Sequence, residues 1–166
     1  MADSNYVTAH FGKWDARYDD FTPEEMGYDF SDGLTSNNTG GGKSTLSAEG
    51  KETPFKMGDA LPKTYDDPKL IFSLTQRSND FIEEQTKKNK PFFIQISHYA
   101  VHLAITYSKK NITKYNKLKK GKKHANPEFA AMTVDRDQGI GFLLDKILSL
   151  GITDNTYIIF LSDNGG

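Results

Sequence analysis

The chain has no cysteine. That excludes disulfides, thiolate metal sites and a cysteine nucleophile within these 166 residues, and leaves the redox compartment open. It has no apolar run near the roughly 20 residues that cross a bilayer. It has no excess of charge either: 21 Lys and Arg stand against 22 Asp and Glu, a formal charge of −1, so no global field points to nucleic acid or a membrane surface. The opening residues, Met1-Ala-Asp-Ser-Asn-Tyr6, carry neither the basic nor the apolar region of a signal peptide. What remains is ordinary for a globular protein, with 36% hydrophobic and 26% charged residues and enough length for one domain with a fair core.

Three β-rich runs organise the chain. Residues 6–14 alternate loosely and predict a short strand that ends in Gly12-Lys13-Trp14-Asp15. Residues 92–99 predict a buried strand that leads into His98, Tyr99 and His102. Residues 157–161, Tyr-Ile-Ile-Phe-Leu, predict a third strand, buried on both faces, that runs into Ser162-Asp-Asn-Gly-Gly166. Between the first two lie residues 16–66, rich in Gly, Asp, Ser, Thr, Asn and Pro, which predict a long irregular loop region with short turns. Gly40-Gly-Gly-Lys-Ser-Thr45 inside it imitates a phosphate-binding loop. Asn37 occupies the position of the required first glycine, no strand pattern precedes it and no helical pattern follows, so it reads as a polar loop.

Two helices join the strands. Asp67 and Pro68 start the first, with Leu70, Ile71, Leu74, Phe81 and Ile82 at helical spacing and a stop before Pro91. Residues 106–125 predict a basic, solvated loop containing Lys117, Lys119, Lys120, Lys122 and Lys123. Asn126 caps the second helix, Phe129, Met132, Ile140, Leu143, Leu144, Ile147 and Leu148 mark its apolar face, and Gly151 ends it. Gly139 and Gly141 within it suggest close packing on a sheet. Strands alternating with helices predict an α/β fold with parallel strands.

In such sheets ligands bind outside the carboxyl ends of the strands. All three predicted strands end in polar groups: Lys13 and Asp15, His98 and His102, Asp163 and Asn164. Taken singly, Lys13 reads as a solvated lysine, His102 as a structural histidine and Asp163-Asn164 as a turn. Their common edge makes the case for a site. Asp163 and Asn164 offer hard oxygens suited to Ca²⁺ or Mg²⁺. Lys13 is a point cation for an oxyanion, and His102 can hydrogen-bond that oxyanion or give a proton to a leaving group. Together they describe a clamp for a tetrahedral oxyanion such as sulfate or phosphate.

At these residues the chain resembles the type I sulfatases of the alkaline-phosphatase-like superfamily. Gly12-Lys13-Trp14 is similar to that family's Gly-Lys-Trp-His motif, and Tyr99-Ala-Val-His102 after Phe92-Phe93 to its Tyr-Ala-x-His segment. The runs through residues 126–132, Gly139-Ile-Gly141, Leu150-Gly-Ile-Thr-Asp-Asn-Thr156 and Ser162-Asp-Asn-Gly-Gly166 continue the likeness, as does Thr22-Pro-Glu-Glu-Met-Gly-Tyr-Asp29. The likeness fails over 31–65.

The resemblance implies an alkaline-phosphatase-like α/β sandwich, a mostly parallel central sheet flanked by helices, with residues 1–166 as a partial catalytic domain. It implies a metal-dependent sulfuric ester hydrolase acting on a sulfated carbohydrate or small sulfate ester, secreted or periplasmic, with no nucleic-acid partner and no membrane span. Lys13 and His102 are then the catalytic and substrate-binding residues, and Asp163 and Asn164 hold Ca²⁺ or Mg²⁺. The family's nucleophile, a formylglycine made in a Cys/Ser-x-Pro-x-Arg motif, is expected upstream, since none of the six prolines here sits in that motif. The polypeptide alone is accordingly expected to be an inactive internal piece. Asp15 stands where the family has histidine. A carboxylate there repels a sulfate ester unless it faces the metal, pairs with a lysine or swings away. Leu103-Ala104 replaces the polar-Pro pair common after the histidine. The alternatives are a phosphatase, phosphodiesterase or phosphonate hydrolase of the same superfamily, and a non-catalytic binder of sulfated glycans using residues 117–123.

Overall fold

The computed structural model describes residues 5–14, 21–32, 44–46, 52–54, 66–102 and 105–162. The sheet that positions the site has three parallel strands in the order β2-β1-β5, with β1 Val7–Gly12, β2 Phe30–Ser31 and β5 Phe92–Ser97. Strands β1 and β5 pair along their whole length, from Val7 opposite Phe92 to Gly12 opposite Ser97. Helix α1, Ile71–Lys87, makes the crossover between them.

The period-two alternation of β1 decides what each face meets. Val7, Ala9 and Phe11 join Leu74, Phe81 and Ile82 of α1 in the main core, with Phe92, Ile94 and Ile96 of β5 packed against it. Phe81 meets the rings of Phe11, Phe30 and Phe92 edge-on, at centroid distances of 5.9, 5.8 and 6.2 Å. The other face carries Thr8 and His10, both buried. The Asp29 carboxylate accepts from the Thr8 amide at 2.8 Å and hydroxyl at 2.9 Å. The rings of Trp14 and Tyr28 stand edge-on to His10.

Helix α1 starts three residues later than Asp67-Pro68 predicts. A 3-10 turn, Pro68–Leu70, precedes it, and the Asp67 carboxylate reaches past that turn to accept from the amides of Phe72 at 2.8 Å and Ser73 at 3.3 Å. Asp67 therefore still satisfies helix-start donors. The long α3, Pro127–Ser149, is capped as expected, with Asn126 Oδ1 accepting from Glu128 and Phe129, and Gly151 follows it at φ +68°.

Four expectations are corrected. Gly139 packs against α1, not a sheet: a Cβ there would lie 2.5 Å from Ile71 Cγ2, while a Cβ on Gly141 would meet nothing within 4 Å. The buried side of α3 is Ala131, Met132, Asp135, Gly139 and Ile147, whereas Phe129, Leu144 and Leu148 are exposed. The basic stretch contains a helix, α2 Lys109–Tyr115, which Ser108 caps and which rests on α3 where Asp135 accepts from the Ser108 amide and Asn111 Nδ2. Its lysines from 117 to 123 are all exposed, as a solvated loop requires.

The fourth concerns residues 157–161, which form no strand and are exposed, Tyr157 at 99% and Leu161 at 83%. An apolar run becomes a strand only where an edge is offered to its backbone, and among the described residues none pairs with it. The region 16–66 is not wholly irregular either. It holds a turn around Pro23, strand β2, and a short antiparallel pair, β3 Ser44–Leu46 with β4 Glu52–Pro54. Ser44 and Thr45 thus lie in a strand, where a phosphate-binding loop would begin a helix; the rest of that glycine-rich run lies outside the described residues.

Candidate active site

The carboxyl ends of β1 and β5 lie side by side, and the two chain segments leaving them carry Lys13 and His102. The turn onto Lys13 is built tightly. Gly12 adopts φ +94°, and a Cβ there would sit 2.2 Å from the Ser97 carbonyl oxygen, so only glycine fits. The Lys13 amide donates to that same oxygen at 2.7 Å. The Gly12 amide donates to Asp32 Oδ2 at 2.8 Å. Asp32 is in turn gripped by Arg77 of α1 through two bonds, Nε to Oδ1 at 3.1 Å and Nη2 to Oδ2 at 2.9 Å. A buried two-pronged ion pair thus ties helix, β2 end and β1 corner together and fixes where Lys13 departs.

The segment to His102 is anchored in the same manner. Ser97 Oγ lies 3.1 Å from His10 Nε2. Tyr99 and Ala100 are buried, and Ala100 packs with Ile71 and Met132 in a second core cluster bordered by Val101 and Ile105. The His102 amide donates to the Tyr99 carbonyl at 3.1 Å, closing a turn that leaves His102 exposed. His98, by contrast, turns inward. Burial, helped by the charge of Arg136, pushes its imidazole down to about 4, so it is neutral near pH 7. Burial likewise lowers His10.

The structure therefore brings Lys13 and His102 to one edge of the sheet. Asp15, Asp163 and Asn164 lie outside the described residues, and among those described no cluster of three or more His, Asp or Glu side chains could hold a metal. Sequence reasoning missed Lys69. In the 3-10 turn before α1 this lysine is only 4% exposed, and its Nζ has no hydrogen-bond partner among the described residues. Burial and the charge of Lys13 lower it to about 8. A lysine after Asp-Pro reads as a solvated first-turn residue, so no sequence signal pointed to it. It also missed the Asp32–Arg77 pair, whose partners are 45 residues apart.

Parallel strands with a helical crossover, and polar side chains on the segments leaving their carboxyl ends, are an α/β arrangement of the alkaline-phosphatase-like kind. The comparisons with known proteins narrow that class. The Sulfatase family profile matches residues 1–166, and the chain belongs to the sulfatase family, type I. A sulfatase of Formosa agariphila is 34% identical over 96 residues, 52% of this chain and 17% of its own length. An ulvan-active sulfatase of the same organism is 24% identical over an alignment of 181 residues, 96% of this chain and 33% of its own. The crystal structure of Ps i-CgsB in complex with k-i-k-neocarrahexaose shares the fold, with a TM-score of 0.63 at 20% identity over 91% of this chain and 36% of that one. The chain thus spans about a third or less of the length of these relatives. No helix among the described residues is long and apolar enough to cross a membrane.

Proposed function

We propose that the full-length protein is a metal-dependent sulfatase that removes a sulfate ester from a polysaccharide outside the cytoplasm. The observation that carries this reading is the family match over the whole chain, with its lysine and histidine motifs falling at the paired ends of β1 and β5. The sulfated glycans in the names of the matched ulvan sulfatase and the neocarrahexaose complex support a polysaccharide substrate.

Lys13 offsets negative charge on the sulfuryl oxygens as the sulfur–oxygen ester bond breaks. His102, exposed at the same edge, hydrogen-bonds the sulfate or protonates the leaving sugar oxygen. Asp163 and Asn164 supply hard oxygen donors whose chemistry fits Ca²⁺ or Mg²⁺, and such an ion would further stabilise charge on the sulfuryl oxygens. Attack on sulfur is assigned to a formylglycine outside these 166 residues.

The test is sulfate release from ulvan and carrageenan oligosaccharides by the full-length protein, before and after chelation and with Ca²⁺ or Mg²⁺ restored. Release that is lost on chelation and recovered with the ion is the expected outcome. Turnover of phosphate esters with none of any sulfate ester would move the protein to the phosphoryl-transfer branch. Glycan binding without turnover would make it a lectin-like relative.

A further inference from the structure

We propose that Lys69 is a second oxyanion-binding group, which with Lys13 forms a two-lysine cradle at the carboxyl end of β1. An ammonium that is removed from water and given no acceptor is unfavourable unless a counter-charge arrives. Lys69 is in that position. Its side chain is buried and its Nζ has no partner among the described residues. Its surroundings do not simply exclude it: the chain turns it inward through left-handed backbone at two successive non-glycine residues, Lys69 at φ 55° and Leu70 at φ 51°. Such conformations are uncommon and persist where surrounding structure enforces them.

Nor is it remote from the site. Lys13 lies near enough for its charge to weigh on Lys69. Two cations that repel each other in the empty protein attract a shared anion together, and a tetrahedral oxyanion has enough oxygens for both. The value of about 8 for Lys69 leaves it mostly charged at neutral pH, so the cradle is cationic under working conditions. The Asp67 carboxylate, the nearest acid in sequence, is already engaged by the amides of Phe72 and Ser73.

The inference rests on placing the sulfate at Lys13. Its test is the binding of inorganic sulfate to the full-length protein by calorimetry at constant ionic strength, balanced with chloride, for the parent, Lys69→Met and Lys13→Met. The expected result is a dissociation constant raised at least about tenfold in both variants, the loss of one charge-assisted contact each. The melting temperature of sulfate-free Lys69→Met should equal or exceed that of the parent, since an uncompensated buried charge has gone. A drop in that melting temperature would show that Lys69 has a protein counter-charge, and would overturn the proposal. Sulfate affinity unchanged by Lys69→Met but lost in Lys13→Met would overturn it too, leaving the reading at Lys13 intact. Affinity unchanged in both variants would remove the sulfate from this edge altogether, and both readings with it.

Discussion

Burial works against the charge of His98 and of Lys69, and each makes stability depend on pH in a window of its own. The His98 imidazole titrates at 6.5 in an unfolded chain and at about 4 here. Between those values the unfolded state binds more protons, so stability falls as the pH drops from 6.5 through 4, by up to about 3 kcal/mol. Replacing His98 with Gln should flatten the acid side of a denaturation series; an unaltered profile would show that His98 is not the group responsible. For Lys69 the window is alkaline. It titrates at about 8 folded against 10.5 unfolded, so the ligand-free protein gains stability as pH rises from 8 to 10.5, again by up to about 3 kcal/mol. Lys69→Met should abolish that rise.

At this scale the sequence was informative where a motif names a residue and silent where burial decides. Lys13 and His102 stand at strand ends, which local pattern reveals. The inward turn of Lys69 depends on a left-handed backbone that nothing about the residue itself demands, and the Arg77–Asp32 grip on Gly12 depends on a crossover bringing distant residues together.

Among the elements, the contact between α1 and α3 carries the clearest consequence. Gly139 and Gly141, two positions apart in α3, have opposite surroundings. Gly139→Ala would drive a Cβ to 2.5 Å from Ile71 Cγ2 and 3.0 Å from Thr75 Oγ1, where the two helices also share the bond from Thr75 Oγ1 to the Gly139 carbonyl at 3.3 Å. It should destabilise by about 1–3 kcal/mol, the usual range for overpacking. Gly141→Ala, with open space around it, should stabilise by up to about 1 kcal/mol through helix propensity. Chemical denaturation of the two variants checks the pair, and equal effects would mean that the packing at Gly139 is not as tight as described. The elements themselves were largely legible, because caps and apolar spacing are local. Asn126, Gly151 and the run from Leu70 to Ile82 declared their helices. Helix α2 was hidden because lysines mask it and its buried side is polar: Asn111, held by Asp135, replaces the apolar stripe a reader would look for. The pattern of residues 157–161 declared a buried strand, whereas these residues are exposed and pair with no strand among the described residues.

Seen whole, the described residues form a three-stranded parallel sheet packed on α1, with apolar side chains left exposed elsewhere. The side chains of 157–161, Phe129, Phe142 and Leu148 of α3, and Phe93 of β5 are exposed. The parallel pairing of β1 with β5 was readable from the helix that joins them; the short β2 and the β3–β4 pair were not, because a two- or three-residue strand leaves no periodic trace. The sequence placed its candidate site at three strand endings; strands β1 and β5 do lead to Lys13 and His102, and residues 157–161 form no strand.

The claim that these endings form a sulfatase site is tested most directly by the rate of sulfate release from a sulfated oligosaccharide by the full-length protein and by its Lys13→Met and His102→Ala variants. Neither substitution disturbs the backbone bonds that build the edge, since the Lys13 and His102 amides make those bonds. The account predicts that each variant keeps its fold and loses kcat by about 10²-fold or more. Rates within a factor of two or so of the parent for both would contradict it.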